Sequence, residues 1–126
     1  MQRVGSGSPY ENAYGFSRAI RVGDAIHVAG TAPVPPPGEP LASTPGGQMR
    51  RCTEIAIAAI EDLGGSAADV VRTRMFITDA AYAEEIGRVH AEAFGAARPS
   101  PTMVVVAGLL EPDWVVEIEV EAVVAG

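Results

Sequence analysis

The chain has 126 residues, and its 9 Lys and Arg against 16 Asp and Glu give a formal net charge of −7. This length fits a single domain, 1–126, with one core, and the charge opposes binding to the phosphate backbone of nucleic acids. One cysteine cannot form an internal disulfide, and no apolar stretch reaches the roughly 20 residues of a membrane-spanning helix. We therefore expect a cytoplasmic protein that binds neither membranes nor nucleic acid.

The first third of the chain predicts an arm, a hairpin and a loop. Residues 1–14 are rich in glycine, serine and polar side chains, which favours an irregular N-terminal arm. Gly23 and Asp24 then separate two short runs of strand composition, as in a tight hairpin turn. These runs are residues 17–22 and 25–30. Six prolines between Pro33 and Pro45 exclude a helix and a central strand, so this segment is predicted to be a loop.

Two amphipathic helices and three strands are predicted in the rest. Apolar side chains recur at three- and four-residue steps over 46–63, which predicts a helix that ends at Gly64. A second helix is predicted over 80–94, with Asp79 as a candidate cap. The predicted strands are residues 69–78, 102–107 and 115–124. This order indicates an α+β fold, a mixed sheet with two helices packed on one face.

A row of glutamates is the most distinctive pattern of the last strand. Glu117, Glu119 and Glu121 recur at period two, so they project from one face of the sheet. Adjacent like charges repel, so this face is either solvated or ion-paired, for example with Arg72 and Arg74 of the strand at 69–78. Alternatively, one glutamate lines a cleft and positions a water molecule. Periodicity does not choose between these interpretations.

The histidines and the cysteine indicate structural roles. His27 and His90 are the only histidines, and together with Cys52 they show no spacing typical of a zinc site, so no metal is expected. We expect both histidines to be partly buried and Cys52 to lie in the core, on the apolar face of the first long helix. Phosphate-binding and nucleophile motifs are absent from the sequence.

Several segments, in their order and spacing, resemble the RidA/YjgF family, also called the L-PSP endoribonuclease-like family. The segments are SRAIRVGD at 17–24, VAGTAP at 28–33, VVRTRMFITD at 70–79, RPSPTMV at 98–104 and EIEVEA at 117–122. The resemblance extends over about residues 14–124. It implies a chorismate-mutase-like α+β fold assembled as a homotrimer, with ligand clefts between neighbouring subunits.

The resemblance also implies a chemistry. Catalytic members hydrolyse imines and enamines, such as 2-iminopropanoate, to 2-oxo acids and ammonia without a cofactor. In these members an arginine binds the substrate carboxylate through two charge-assisted contacts, and a glutamate on the last strand positions the attacking water.

Carried over to this chain, the resemblance makes Glu119 the catalytic glutamate and Gly30 the glycine of the cleft. Met103 falls where catalytic members usually have cysteine, and Phe16 falls where many have tyrosine. These two side chains are expected to form an apolar wall, and Thr102 a backbone contact to the ligand.

Pro101 falls at the position of the carboxylate-binding arginine, so the chain resembles a branch of the family that lacks this residue. Proline offers neither a charged side chain nor an N–H. Two cations are candidates to replace the arginine: Arg74, on the strand next to Glu119 in the family's sheet, and Arg88, at a cleft-facing polar position of the second helix. The alternative for Arg74 is ion pairing with the glutamate row.

The expected function is binding of a small carbonyl, imine or carboxylate metabolite by a homotrimer. If the protein is an enzyme, we expect it to hydrolyse imines or enamines. The alternative is a non-catalytic metabolite-binding or chaperone-like trimer. A third interpretation, an endoribonuclease, follows only from the older family name, and the net charge of −7 opposes it.

Overall fold

A six-stranded mixed sheet forms the centre of the computed structural model, which describes residues 1–125. The strands are β1 (Gln2–Val4), β2 (Ala19–Val22), β3 (Ala25–Thr31), β4 (Val70–Ile77), β5 (Ser100–Val105) and β6 (Val116–Val123). The helices are α1 (Pro9–Tyr14), α2 (Pro45–Asp62) and α3 (Ala83–Phe94), and short 3-10 turns lie at Ala67–Asp69 and Ala80–Tyr82. The strand order is β1-β2-β3-β6-β4-β5, and only β4 and β5 are parallel. The predicted α+β fold with a mixed sheet is confirmed.

The hairpin and the long helix form for the predicted local reasons. β2 and β3 pair with Val22 opposite Ala25, and Gly23 has the positive φ of 60° that the first position of a type II′ turn requires. The Thr44 side chain accepts a hydrogen bond of 3.0 Å from Gly47 N–H at the start of α2. The segment between β3 and α2 has neither helix nor strand within the described chain, as its prolines predict. No helix of residues 1–125 has the length and apolar character that crossing a bilayer requires.

The core lies between the sheet and the helices α2 and α3, on what we call the helix-covered face. Alternate side chains of β6 that point to this face, including Ile118 and Val120, are at most 1 % exposed. Met49, Cys52 and Ile60 of α2 meet them and are fully buried. The opposite side of the sheet carries the glutamate row of β6, and we call it the open face.

Residues 1–14 differ from the predicted irregular arm. β1 pairs antiparallel to the edge of β2, with Val4 opposite Ala19. α1 starts at Pro9 because Ser8 caps it, accepting a hydrogen bond of 3.2 Å from Tyr10 N–H. A three-residue strand and a six-residue helix are too short to show a period, so their sequence carries no pattern that distinguishes them from a loop.

A bulge changes the predicted faces of β4. Strict alternation along the predicted strand at 69–78 puts Val71 with Thr73 on one face and Val70 on the other. The pairing with β6 shifts between Val70 and Arg72, which is the signature of a β-bulge. Val70 is therefore buried at 2 % exposure, whereas Val71 is 46 % exposed. From Thr73 onward the predicted alternation holds.

Candidate functional site

The register of β4 against β6 brings opposite charges together on the open face. The cross-strand pairs are Arg72–Glu121, Arg74–Glu119 and Phe76–Glu117. Side chains of such pairs point to the same face of a sheet and lie within reach of each other. Each glutamate of the row therefore has a different neighbour, and the three carboxyl groups have different surroundings.

Arg74 is shared between two glutamates. Its Nη1 lies 3.8 Å from Glu119 Oε1 and 3.6 Å from Glu121 Oε1, and each of these side chains is about two-fifths exposed. Both distances exceed those of hydrogen bonds, and the Arg74 guanidinium donates no hydrogen bond within residues 1–125. Glu119 is thus ion-paired, while the five N–H donors of Arg74 remain available to a further acceptor.

Arg72 is bound to β5 instead of to the glutamate opposite it. Its Nη2 donates a hydrogen bond of 2.7 Å to Thr102 Oγ1, and its Nη1 donates one of 3.3 Å to the Ser100 carbonyl. Thr102 lies opposite Arg74 in the register, so its hydroxyl group belongs to the open face. The guanidinium of Arg72 is therefore hydrogen-bonded to β5. The guanidinium of Arg74 on the same face has donors that can bind a further group.

Glu117 lies over the backbone of Gly30. A methyl group added to Gly30 would be 3.1 Å from Glu117 Oε2, so the carboxyl group would have to shift by a few tenths of an ångström. Arg18 is close by, with Nη2 donating to the carbonyls of Ala29 at 2.8 Å and Gly30 at 2.6 Å. Burial raises the pKa of Glu117; the charge of Arg18 opposes this rise and that of Glu119 adds to it.

The histidines have different surroundings. His27 is not buried as expected: its side chain is half exposed, with Nδ1 3.6 Å from Glu121 Oε1. His90 is partly buried as predicted, its Nε2 lies 2.8 Å from Thr73 Oγ1, and burial lowers its pKa. No group of three potential metal ligands forms a cluster in the part of the chain that the structure describes.

Cys52 lies in the core as predicted. Its side chain is fully buried on the helix-covered face. Burial raises the pKa of the thiol to about 12, and the Glu117 charge adds to this rise. Cys52 is therefore a core residue and not a nucleophile, since thiolate is the reactive form.

Two surface grooves lie away from the glutamate row. One, of about 410 Å³, runs between α2 and α3 and is lined by Ile57 and Val89. The other, of about 390 Å³, lies beside the start of α2 and is lined by Gln48 and Tyr82. Neither groove contains Glu119.

Comparison with known proteins identifies the family. The family model described as Endoribonuclease L-PSP matches residues 8–124. The chain belongs to this family. The uncharacterized protein SCO2049 of Streptomyces coelicolor is 36 % identical over 124 residues, which cover 97 % of this chain and 91 % of that protein.

Solved structures of the family have the same fold. The crystal structure of Rv2704 from Mycobacterium tuberculosis, a member of the YjgF/YER057c/UK114 family, has a TM-score of 0.89 and 41 % identity, covering 98 % of each chain. The structure of E. coli TdcF with bound serine has a TM-score of 0.82 and 25 % identity, covering 98 % of this chain and 94 % of that chain. The resemblance to the RidA/YjgF family and its chorismate-mutase-like fold are confirmed.

The residues that the family resemblance singles out divide between the two sides of the sheet. Glu119, Arg74, Thr102 and Gly30 lie on the open face or border it. Met103 lies opposite Met75 in the parallel pair β4–β5 and packs against the core of the helix-covered face. Within one chain it therefore does not share a wall with the open-face residues.

Arg88 and Phe16 lie at the periphery of a single chain. Arg88 is exposed on α3 and forms an ion pair with Glu84, one turn earlier in the helix. Because α3 packs on the helix-covered face, Arg88 is separated from Glu119 by the sheet. Phe16 follows α1 and is 44 % exposed. Pro101 lies in β5 opposite Thr73, so it too does not face Glu119.

Arg18 is a member of the site that the sequence pattern did not single out. It precedes β2, and its guanidinium donates to the carbonyls of Ala29 and Gly30 on the neighbouring strand. The useful signal is the two-residue hairpin turn at Gly23 and Asp24. Extending the hairpin register outward from this turn brings Arg18 toward Ala29, whose N–H donates to the Arg18 carbonyl at 3.0 Å.

Proposed function

We propose that this protein is a homotrimer that binds a small imine, carbonyl or carboxylate metabolite at Glu119 and hydrolyses imines or enamines to carbonyl compounds and ammonia. The observation that carries the proposal is the position of Arg74, 3.8 Å from Glu119 and free of hydrogen bonds within residues 1–125. A cation beside the expected catalytic glutamate supplies the positive charge for a substrate carboxylate that Pro101 lacks.

Arg74 and Glu119 have complementary tasks in this proposal. A guanidinium group binds a carboxylate through two parallel hydrogen bonds, and the donors of Arg74 are available for them. The Arg74 guanidinium lies 3.8 Å from Glu119 Oε1, and an ionised carboxylate can accept a proton from water as a general base. Substrate anchor and base are thus adjacent on neighbouring strands.

Exposed apolar side chains support the trimer. Phe16 and Val104 are 44 % and 40 % exposed, and Val104 lies opposite Phe76 on the open face. Burial of such side chains between subunits is a common driving force for association. Sedimentation equilibrium should give three times the chain mass of 13.0 kDa; a species of monomer mass at micromolar concentration would exclude the trimer.

The function is tested by following 2-iminopropanoate, generated in situ from alanine by an amino-acid oxidase. We expect the wild-type protein to accelerate its disappearance and Glu119→Gln to lose this acceleration. Arg74→Ala should raise KM more than it lowers kcat, because it removes the substrate anchor. Arg50→Ala, whose ion pair with Glu92 lies on the outer helix surface, serves as the matched control. An inactive wild-type protein would refute the proposed reaction.

The same variants decide between the two candidate cations. If Arg88 instead of Arg74 binds the substrate carboxylate, Arg88→Ala will raise KM and Arg74→Ala will not. That result would require the anchor to come from the helix layer of a neighbouring subunit.

Binding without catalysis is the second candidate. The structure of E. coli TdcF contains serine, an amino acid with a carboxylate, and Glu119 is already ion-paired with Arg74. Calorimetry with serine and pyruvate tests it: saturable binding that Arg74→Ala weakens, together with no hydrolysis of 2-iminopropanoate, would favour a ligand-binding protein.

A further inference from the structure

The glutamate row contains two kinds of carboxyl group, and the difference points to a second catalytic residue. We infer that Glu117 is the proton donor of the site, the general acid that works beside Glu119 during hydrolysis of an imine. This inference rests on the proposed function and adds a residue to it. It follows from the neighbours of the two glutamates on the open face.

Glu119 and Glu121 share the charge of Arg74, whereas Glu117 has no ion-pair partner within 4.0 Å in residues 1–125. Opposite Glu117 on β4 stands Phe76, so an aromatic side chain takes the place that Arg74 takes beside Glu119. An apolar neighbour and partial burial favour the protonated form of a carboxyl group, while a guanidinium favours the ionised form.

The charged groups around Glu117 do not reverse this preference. The charge of Arg18, whose Nη2 donates to the carbonyls of Ala29 and Gly30, lowers the pKa of Glu117, but burial raises it by more. Glu119 on the same strand adds a negative charge, and Cys52 on α2 is a neutral thiol. Accordingly the pKa of Glu117 is raised, with burial as the largest cause.

The Glu117 carboxyl group lies over Gly30, in the region where the family resemblance expects the ligand. Glu117 Oε2 is 3.1 Å from the position of a methyl group on Gly30, so the carboxyl lies directly over the β3 backbone. Residues two apart on a strand are separated by about 7 Å. This spacing leaves room for the C=N group of an imine between Glu117 and Glu119, with an acid on one side and a base on the other.

The two carboxyl groups can carry all the proton transfers of the reaction and return to their starting states. Water forms a bond to the imine carbon as Glu119 takes a proton from it and Glu117 gives its proton to the nitrogen. The resulting carbinolamine then loses ammonia: Glu119 returns its proton to the nitrogen, the C–N bond breaks with its electron pair on nitrogen, and Glu117 takes the hydroxyl proton. One imine and one water become one carbonyl compound and ammonia, and both carboxyls regain their starting states.

The test compares Glu117→Gln with the wild-type protein on 2-iminopropanoate over pH 5–9. We expect kcat/KM to fall about a hundredfold at pH 7, within the usual contribution of a general acid. The decrease of activity on the alkaline side, which reports deprotonation of the acid, should disappear in this variant. Glu61→Gln, an exposed glutamate on α2, is the control and should retain both the rate and the pH profile.

Glu117→Asp keeps a carboxyl group and guards against loss of folding in the glutamine variant. It should retain the alkaline decrease with a lower maximal rate, because the acid is one methylene shorter. If the wild-type protein is active and Glu117→Gln keeps its rate within threefold and its pH profile, the assignment of Glu117 is refuted while the proposed function stands. If the wild-type protein does not hydrolyse the imine, the function and the role of Glu117 both fail.

Discussion

The two faces of β6 differ in burial and in charge. On the helix-covered face, side chains such as Val116 and Ile118 are at most 1 % exposed and pack against α2. On the open face, the alternate glutamates meet arginines, a histidine and a phenylalanine. One strand thus supplies both the centre of the core and the candidate site, so substitutions one residue apart should affect different properties.

The largest expected difference concerns thiol reactivity. Cys52 of the folded protein should react with a disulfide reagent roughly a thousandfold more slowly than in the urea-unfolded chain, because burial raises its pKa from 9.0 to about 12 and thiolate is the reactive form. Thr102→Cys in a Cys52→Ala background places a thiol on the open face and should react rapidly. Equal rates for the folded and unfolded wild-type protein would show that α2 does not protect the core.

Truncation of adjacent residues on β6 should separate stability from activity. Ile118→Ala leaves a cavity under α2 and should lower the free energy of unfolding by about 2–5 kcal/mol. Glu119→Ala removes a partly exposed ion pair and should lower it by less than about 1 kcal/mol. Urea denaturation measures both. Equal losses of unfolding free energy in the two variants would mean that the open face contributes as much to stability as the core does.

Two threonines provide a smaller comparison. Thr73→Val removes the hydroxyl that pairs with His90 between β4 and α3 and should cost about 1–2 kcal/mol of unfolding free energy. Thr102→Val removes the acceptor of Arg72 on the open face, where water can replace it. We therefore expect Thr102→Val to lower the free energy of unfolding by less than about 0.5 kcal/mol. If Thr102→Val lowered it by more than Thr73→Val does, the comparison would be contradicted.

The smallest expected effect is a pH dependence from His90. Burial lowers its pKa in the folded protein below the value of 6.5 in the unfolded chain. Below pH 6.5 the unfolded chain therefore binds more protons, so this residue makes the free energy of unfolding fall as the pH is lowered through this range. Thermal unfolding at pH 7.5 and 5.5 should show a smaller difference for His90→Asn than for the wild-type protein.

The sequence predicts the hairpin and the long elements of the fold but misses β1 and α1 near the N-terminus. α2 has five turns, so its apolar period is repeated often enough to be recognised, and β6 shows a strict alternation over eight residues. β1 and α1 form because β2 offers an unpaired edge and Ser8 offers a cap. The cause of β1 is a neighbouring strand and the cause of α1 is a single capping residue, so neither produces a repeating pattern within its own segment.

The sequence predicts that the three glutamates share one face of the sheet, but it does not predict which of them lies beside which arginine. Alternation along β6 is enough to place the three glutamates on one face. Which carboxyl meets Arg74 depends on the register with β4, and the bulge after Val70 shifts that register by one residue. The apolar surroundings of Glu117 arise from Phe76 and Gly30 on two other strands, and no local pattern contains that information.

The position of β6 in the sheet has a consequence for the order of events during synthesis. β6 is the last strand along the described chain, yet it lies between β3 and β4. The β2–β3 hairpin and the β4–β5 unit cannot be joined until residues 116–123 have left the ribosome, and pairing over so large a sequence separation is slow. Because the same strand carries Glu117 and Glu119, an incomplete chain cannot display the site. Ligand binding by nascent chains would therefore report that the sheet has closed.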